Sequence, residues 1–226
     1  MKSVLIAAVS AVQAYLLGSI DTGILVSKFL YHDDVRKYGS GAAGMTNMLR
    51  TFGKKAAALT AFGDVLKGVL AVCIGRWLFT LMPESTTLSP YLAVYLAAIF
   101  AIIGHLKPLY FGFKGGKGIA ATAGLILAIH PAFIPMGVIL FFGTFLLTHY
   151  VSLGSLLVYA GFLIEMVIMG QMDLFSMPVG HRIEMYGIAA FLTAMAYWKH
   201  RENIKRLLSG TERKTYLFKK NKEALN

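Results

Sequence analysis

Two short stretches of this chain gather the groups needed to hold an anion. The first reads Arg36-Lys37-Tyr38-Gly39-Ser40-Gly41-Ala42-Ala43-Gly44-Met45-Thr46-Asn47-Met48-Leu49-Arg50. Gly39, Gly41 and Gly44 permit positive φ and close backbone approach, so successive N–H groups can converge on one anion. Ser40, Thr46 and Asn47 add neutral hydrogen-bonding groups, and Arg50 can grip a phosphate through a bidentate fork. The second stretch is Phe113-Lys114-Gly115-Gly116-Lys117-Gly118, directly before a helix start at Ile119. Glycines entering a helix N-terminus form an anion site, because unpaired N–H groups and the helix dipole both point outward. Lys117 adds a point charge, and Lys114 lies beside it. No Ser or Thr follows Lys117, so the full nucleotide-binding spacing is missing and no nucleotide is expected. Taken singly, each stretch also reads as a flexible basic turn at a membrane surface. Two of them on one face favour phosphate.

Other polar groups are scattered more thinly. Asp64 and Lys67 lie three apart in an apolar run, a spacing at which helical neighbours pair. Ionisable groups in a membrane point to function, and a neutralised structural pair near the interface is the competing reading. His105 follows Gly104, His149 precedes Tyr150, and His200, Asn203 and Glu212 lie in the tail. His200 has the chemistry of a general base, or of an interfacial hydrogen-bonding group. No His pair sits beside a carboxylate at metal-ligand spacing, so no metal is expected. The single cysteine, Cys73, excludes an intramolecular disulfide.

The elements that must position these groups are apolar. Of 226 residues, 57% are hydrophobic and 15% charged, where soluble domains carry about 25% charged. The net charge of +11 is confined to the segments between apolar runs and the tail. It therefore reads as membrane orientation rather than nucleic-acid binding. The apolar run after Met1-Lys2 continues past its small residues, which marks a retained span rather than a cleaved signal peptide. Spans are expected at Ser3–Ile20 (with an extension to Val26 open), Ala56–Leu81, Tyr91–Gly104, Ile119–Ile129, Ala132–Thr148, Leu153–Gly170 and Met185–Trp198. Pro83 to Pro90 is a turn-rich loop, and breaks are expected at His130-Pro131 and His149-Tyr150. Ile119–Ile129 is short for a crossing that needs roughly 20 residues. The fold class is an all-α polytopic membrane bundle of about seven helices. Residues 1–198 form the membrane domain and 199–226 a basic cytoplasmic tail. Basic residues place the C-terminus in the cytoplasm and the N-terminus outside. Both glycine-rich loops, the Tyr150 break and the tail then share the cytoplasmic face.

The chain resembles the bacterial acyl-phosphate:glycerol-3-phosphate acyltransferases (the PlsY family) from Gly18-Ser19-Ile20 to Gly210-Thr211-Glu212. The resemblance rests on the first loop ending in Thr46-Asn47-x-x-Arg50 and on Gly104-His105 with Phe113-Lys114-Gly115-Gly116-Lys117-Gly118. It also rests on Tyr150-Val151-Ser152-Leu153-Gly154-Ser155 and on the tail from His200 to Glu212. It implies transfer of a fatty acyl group from acyl-phosphate to the sn-1 hydroxyl of glycerol 3-phosphate, giving lysophosphatidic acid. It implies no cofactor and a multi-pass protein of the bacterial inner (plasma) membrane, in contact with lipid, with its site facing the cytoplasm. Ser40, Arg50 and Lys117 are implied as the phosphate-binding set, with His200, Asn203 and Glu212 lining the site and Ser152 or Ser155 in the third motif. Gly39, Gly41, Gly44, Thr46, Asn47, His105, Lys114, Gly115, Gly116 and Gly118 complete the substrate-binding set. The pattern departs at Asp21 (usually proline), Ala42 (asparagine), Met45 (a small residue), Lys107 (an aromatic), Ala121 (threonine) and His149 (arginine). A diverged relative acylating another phosphorylated acceptor is one alternative. An anion transporter is another, but transporters place sites at the midplane of repeated, broken helices, and no repeat is present here.

Overall fold

The structure, a computed structural model, describes residues 2–82, 89, 91–175 and 177–217, and every regular element among them is helical. The loop expected at Pro83 to Pro90 falls outside these residues except for Ser89. The described residues divide into two compact units, 2–129 with 217, and 130–216.

The first unit contains α1 (Lys2–Gly18), α2 (Thr22–Tyr31), α3 (Met45–Phe52), α4 (Lys54–Thr80), α5 (Leu92–Leu106) and α6 (Ile119–Ile129). The expected first span, Ser3–Ile20, corresponds to α1, and the extension left open toward Val26 is a separate helix, α2. The cause is Asp21, which takes an extended conformation and accepts a hydrogen bond on Oδ1 from the Ile24 amide at 3.2 Å. That N-cap starts a new helix, which runs on to Tyr31. α1 packs mainly on α5, and α4 on α6. Both crossings are made by glycines. A Cβ on Gly18 would overlap the Ala101 carbonyl, and one on Gly104 the Tyr15 carbonyl. Likewise Gly68 meets the Ala121 carbonyl and Gly124 that of Val65. In lipid the hydrophobic effect does not drive helices together, so such backbone-to-backbone contact supplies the attraction. At the loop end of this unit Ile24, Val35, Ala43 and Met48 are fully buried, and Tyr31 stacks on Phe52 at 4.7 Å. This apolar plug seats the first glycine-rich loop, and it explains why α3 forms where the sequence reading had a continuous loop.

The second unit starts with a 3-10 turn at Pro131–Phe133, then α7 (Ile134–Val138), a π-helical stretch at Ile139–Gly143 and α8 (Thr144–Thr148). α9 (Val151–Gln171), α10 (Val179–Lys199) and α11 (Arg201–Leu208) follow. The expected breaks have local causes. His130 accepts a hydrogen bond on Nδ1 from the Ala132 amide at 3.3 Å, just before Pro131. His149 ends α8 in the left-handed region at φ 63°.

Outward-facing positions are strongly apolar. Leu147 is 85% exposed, and Phe62 and Ile139 are each 69% exposed. Among the described residues, five helical stretches are long and apolar enough to cross a membrane: Lys2–Tyr31, Lys54–Thr80, Leu92–Phe111, Pro131–Thr148 and Val151–Gln171. Large apolar side chains in contact with their surroundings on all of them are unlike the surface of a soluble monomer and fit a protein embedded in lipid.

Candidate active site

The first glycine-rich loop is organised by one side chain. Asn47, on the first turn of α3 and almost fully buried, donates from Nδ2 to the carbonyls of Val35 (3.1 Å), Tyr38 (3.0 Å) and Ala42 (3.0 Å). Its Oδ1 accepts from the Ser40 amide at 3.2 Å. The amide thereby ties four points of the loop to the start of a helix. Gly39 and Gly41 have φ of 55° and 67°, a region where L side chains are strained, so the glycine pattern is required by the path. Gly44 caps α3, and Thr46 lies on its first turn. Met48 and Leu49 face inward, while Arg50 is half-buried on the same helix. Ser40 stands exposed at the loop crest.

The second loop leads into α6 as the glycine pattern predicts. The Gly118 carbonyl accepts the first helical bond, from the Thr122 amide at 2.8 Å, and Gly118 itself has φ 89°. Lys117 is half-buried at that helix start, Lys114 is exposed, and Gly116 is buried. Gly115 and Gly116 lie against His105. A Cβ on Gly115 would overlap the His105 carbonyl, and one on Gly116 the His105 Nε2.

Arg36 joins the two loops. Its Nη1 donates to the Phe111 carbonyl at 2.8 Å and the Lys114 carbonyl at 3.2 Å, while Nε and Nη2 grip Asp34 at 3.0 and 2.7 Å. That guanidinium holds the Asp34 carboxyl below the usual carboxylate range, and Asp34 in turn raises Arg36. Asp33 is held at about 2 by hydrogen bonds from Tyr38 and Lys37. Both acids near the loop are therefore charge-compensated locally. Its role in joining the loops is not legible in sequence, because its partners are backbone carbonyls some 75 residues away that carry no sequence signal. The one available clue was the Asp34-x-Arg36 spacing.

The second unit assembles a different group. Glu212 accepts on Oε1 from Ser152 Oγ at 2.9 Å and Asn203 Nδ2 at 2.7 Å, and on Oε2 from Arg206 Nε at 2.7 Å. Burial alone pushes the Glu212 carboxyl up, but the hydrogen bonds from Asn203, Arg206 and Ser152 together outweigh it and leave it below its ordinary value. Gly210, at φ 69°, reverses the chain after α11. The Gly210 amide bonds Leu207 and the Thr211 amide bonds Arg206, a helix end that delivers Glu212 back to Asn203. The Thr215 amide then bonds the His149 carbonyl at 2.9 Å, and Tyr216 lies 4.7 Å from the His149 ring. His200 is buried between α10 and α11, with Nδ1 donating to the Ala196 carbonyl at 2.8 Å. A carbonyl only accepts, so the hydrogen is on Nδ1 and Nε2 is the basic nitrogen. Ser155 bonds back to the Val151 carbonyl of its own helix at 2.8 Å.

Each unit thus gathers one subset of the expected residues: Ser40, Thr46, Asn47 and Arg50 with Lys114 to Gly118 and His105 in the first, and Ser152, Ser155, His200, Asn203 and Glu212 in the second. Known proteins match most of the chain. The family model described as "Glycerol-3-phosphate acyltransferase" matches residues 8–210. A glycerol-3-phosphate acyltransferase of Clostridioides difficile (strain 630) is 45% identical over 204 residues, covering 90% of this chain and 93% of its own. That of Mycoplasmopsis synoviae (strain 53) is 41% identical, covering 88% and 90%. The crystal structure of PlsY (YgiH), an integral membrane glycerol 3-phosphate acyltransferase, in its glycerol 3-phosphate form superposes with a TM-score of 0.79 at 33% identity, covering 94% of this chain and 99% of that one. Its lysophosphatidic acid form gives 0.76 at 30% identity over 93% and 96%. This multi-pass membrane chain belongs to the glycerol-3-phosphate acyltransferase family.

Proposed function

We propose that this protein acylates the sn-1 hydroxyl of glycerol 3-phosphate with acyl-phosphate as donor, at the cytoplasmic face of a bacterial plasma membrane. The hydroxyl oxygen attacks the acyl carbonyl carbon, the bond from that carbon to the phosphate oxygen breaks, and inorganic phosphate leaves. The hydroxyl proton passes to a base, and lysophosphatidic acid is the product. The donor is already activated, so the task is to hold two phosphate-bearing substrates and offset their charge, which is positioning and electrostatic stabilisation. The observation that carries the reading is the pair of glycine-rich loops joined by Arg36, one bearing Ser40 and Arg50 and the other Lys117 at a helix N-terminus. Those three side chains are assigned to phosphate. His200, with its basic Nε2, is assigned the proton unless the acceptor's own phosphate takes it, and Asn203 is assigned to substrate hydroxyl contact. Ser152 and Glu212 are assigned to holding Asn203.

Purified protein given acyl-phosphate and glycerol 3-phosphate should release lysophosphatidic acid and phosphate in equal amounts, and should make none with acyl-CoA. Absence of product from folded protein overturns the reading. Transfer is direct in this scheme, so a trapped acyl adduct on Ser40 or Ser152 would sink that part of it. Trypsin accessibility of Lys114 and Lys117 in oriented vesicles reads the sidedness.

A further inference from the structure

Beneath the second glycine-rich loop lies an ion pair that the proposed chemistry does not use. Asp64, Lys67 and His105 are all at least 96% buried. Lys67 Nζ lies 2.9 Å from Asp64 Oδ1, 2.8 Å from His105 Nδ1 and 2.8 Å from the Ile20 carbonyl. Lys67 therefore hydrogen-bonds His105 and the Ile20 carbonyl, and stands in ion-pair contact with Asp64 Oδ1, which accepts no hydrogen bond. Asp64 Oδ1 is 3.8 Å from His105 Nδ1, too long for a hydrogen bond, so the lysine is the imidazole's partner. A lysine donates and never accepts, which makes Nδ1 the acceptor and puts the ring hydrogen on Nε2. Nε2 is the atom against Gly116, on the side where any larger residue would have its Cβ. The ring is thus held from below by a fixed charge and meets the loop from above with a fixed donor.

Burying charges in a membrane is costly, and a buried ion pair is seldom more stable than well-packed apolar residues of the same size. Stability alone is a weak account of Asp64 and Lys67. What the pair supplies is geometry. We infer that Asp64, Lys67 and His105 are positioning residues: the ion pair fixes the imidazole tautomer, and the ring sets the placement of the Gly115–Gly116 turn and hence of Lys117. The inference rests on the reading of Lys117 as a phosphate ligand. It gives His105 a role through the loop rather than on substrate.

The test uses the full-length protein in detergent or nanodiscs. Removing Lys67 alone would strand Asp64 and could unfold the chain, so the informative variant is Asp64→Asn/Lys67→Met, which removes both charges. It should purify folded, with kcat/KM for glycerol 3-phosphate down about 100-fold, mostly through KM, the size expected when a ligand is misplaced by about 1 Å. His105→Leu should show the same loss. Combining the three substitutions should cost nothing further, because all act through one ring. His105→Gln, whose amide NH2 can face Gly116, should recover most of the activity, which a merely space-filling role would not give. Labelled-histidine ¹⁵N spectra should show a single Nε2–H tautomer for His105 in the wild type and a mixture in Asp64→Asn/Lys67→Met. Wild-type kcat/KM in that double variant, multiplying losses in the triple, or mixed tautomers in the wild type overturns the inference. If the double variant does not fold, the difference between His105→Gln and His105→Leu decides. A wild type that forms no lysophosphatidic acid fails the functional reading instead, and the tautomer spectra still decide whether the ion pair sets the ring.

Discussion

In the first glycine-rich loop the organising side chain is Asn47, a neutral amide; in the tail it is Glu212, a carboxylate. Each is nearly buried, and each ties together groups distant along the chain. Asn47 gathers three carbonyls and one amide of the backbone, whereas Glu212 gathers three side chains. A loop assigned to hold phosphate cannot keep an uncompensated anion at its centre, since like charges repel at several kcal/mol in a low-dielectric site. The nearby acids obey that rule, with Asp34 forked by Arg36 and Asp33 bonded to Tyr38 and Lys37. The tail has no such constraint and uses the stronger, charge-assisted bonds.

The sharpest way to break this contrast is to remove the charges assigned to substrate. Arg50→Ala and Lys117→Ala should each lower kcat/KM about 10³-fold, the scale of losing one charge-stabilising donor, with thermal unfolding in detergent unchanged. Next in size, Glu212→Ala should cost about 3 kcal/mol of stability by leaving Asn203, Ser152 and Arg206 without their acceptor. An unmoved unfolding temperature would remove Glu212 from its organising role. Asn47→Asp keeps the acceptor for Ser40 but loses the donors to three carbonyls, and should cost about 2 kcal/mol along with a raised KM for glycerol 3-phosphate. The smallest effect is a pH step. The hydrogen bonds hold Glu212 below its ordinary value of 4.5, so its stabilisation is fully present above that value and is lost as pH falls through the lowered one. The wild type should show that acid step in melting temperature, Glu212→Gln should lack it, and Asn47 variants should keep it.

Much of this is legible in the sequence. α6 could be bounded at Ile119 and Ile129 because Gly118 opens it and His130-Pro131 closes it, and those signals act locally. The i, i+3 spacing of Asp64 and Lys67 predicted their pairing for the same reason. What stayed hidden was long-range or fell below the length of a clear pattern. α3 is 8 residues long, and its inward face of Met48 and Leu49 is too brief to show a period. The sequence reading ended the first span at Ile20, just before Asp21, but the apolar run beyond it hid that α2 is a separate helix reaching Tyr31. Arg36 acts on carbonyls of another loop, and His105 joins the ion pair only because α4 and α5 pack together. The Ser155 bond to the Val151 carbonyl is local, made within its own helix at i−4.

The length of α6 has a consequence for the lipid itself. Its 11 residues rise about 16 Å, roughly half of a hydrocarbon core of about 30 Å. If one end is anchored at the headgroups, the other stops near mid-depth, or else the bilayer dimples to meet it. A dimple at the second glycine-rich loop would bring the aqueous phase, and a water-soluble acceptor, toward the depth at which acyl chains lie. Acyl-chain length of the host bilayer then becomes a mechanical control on this enzyme, acting through the elastic cost of that deformation rather than through any contact with substrate.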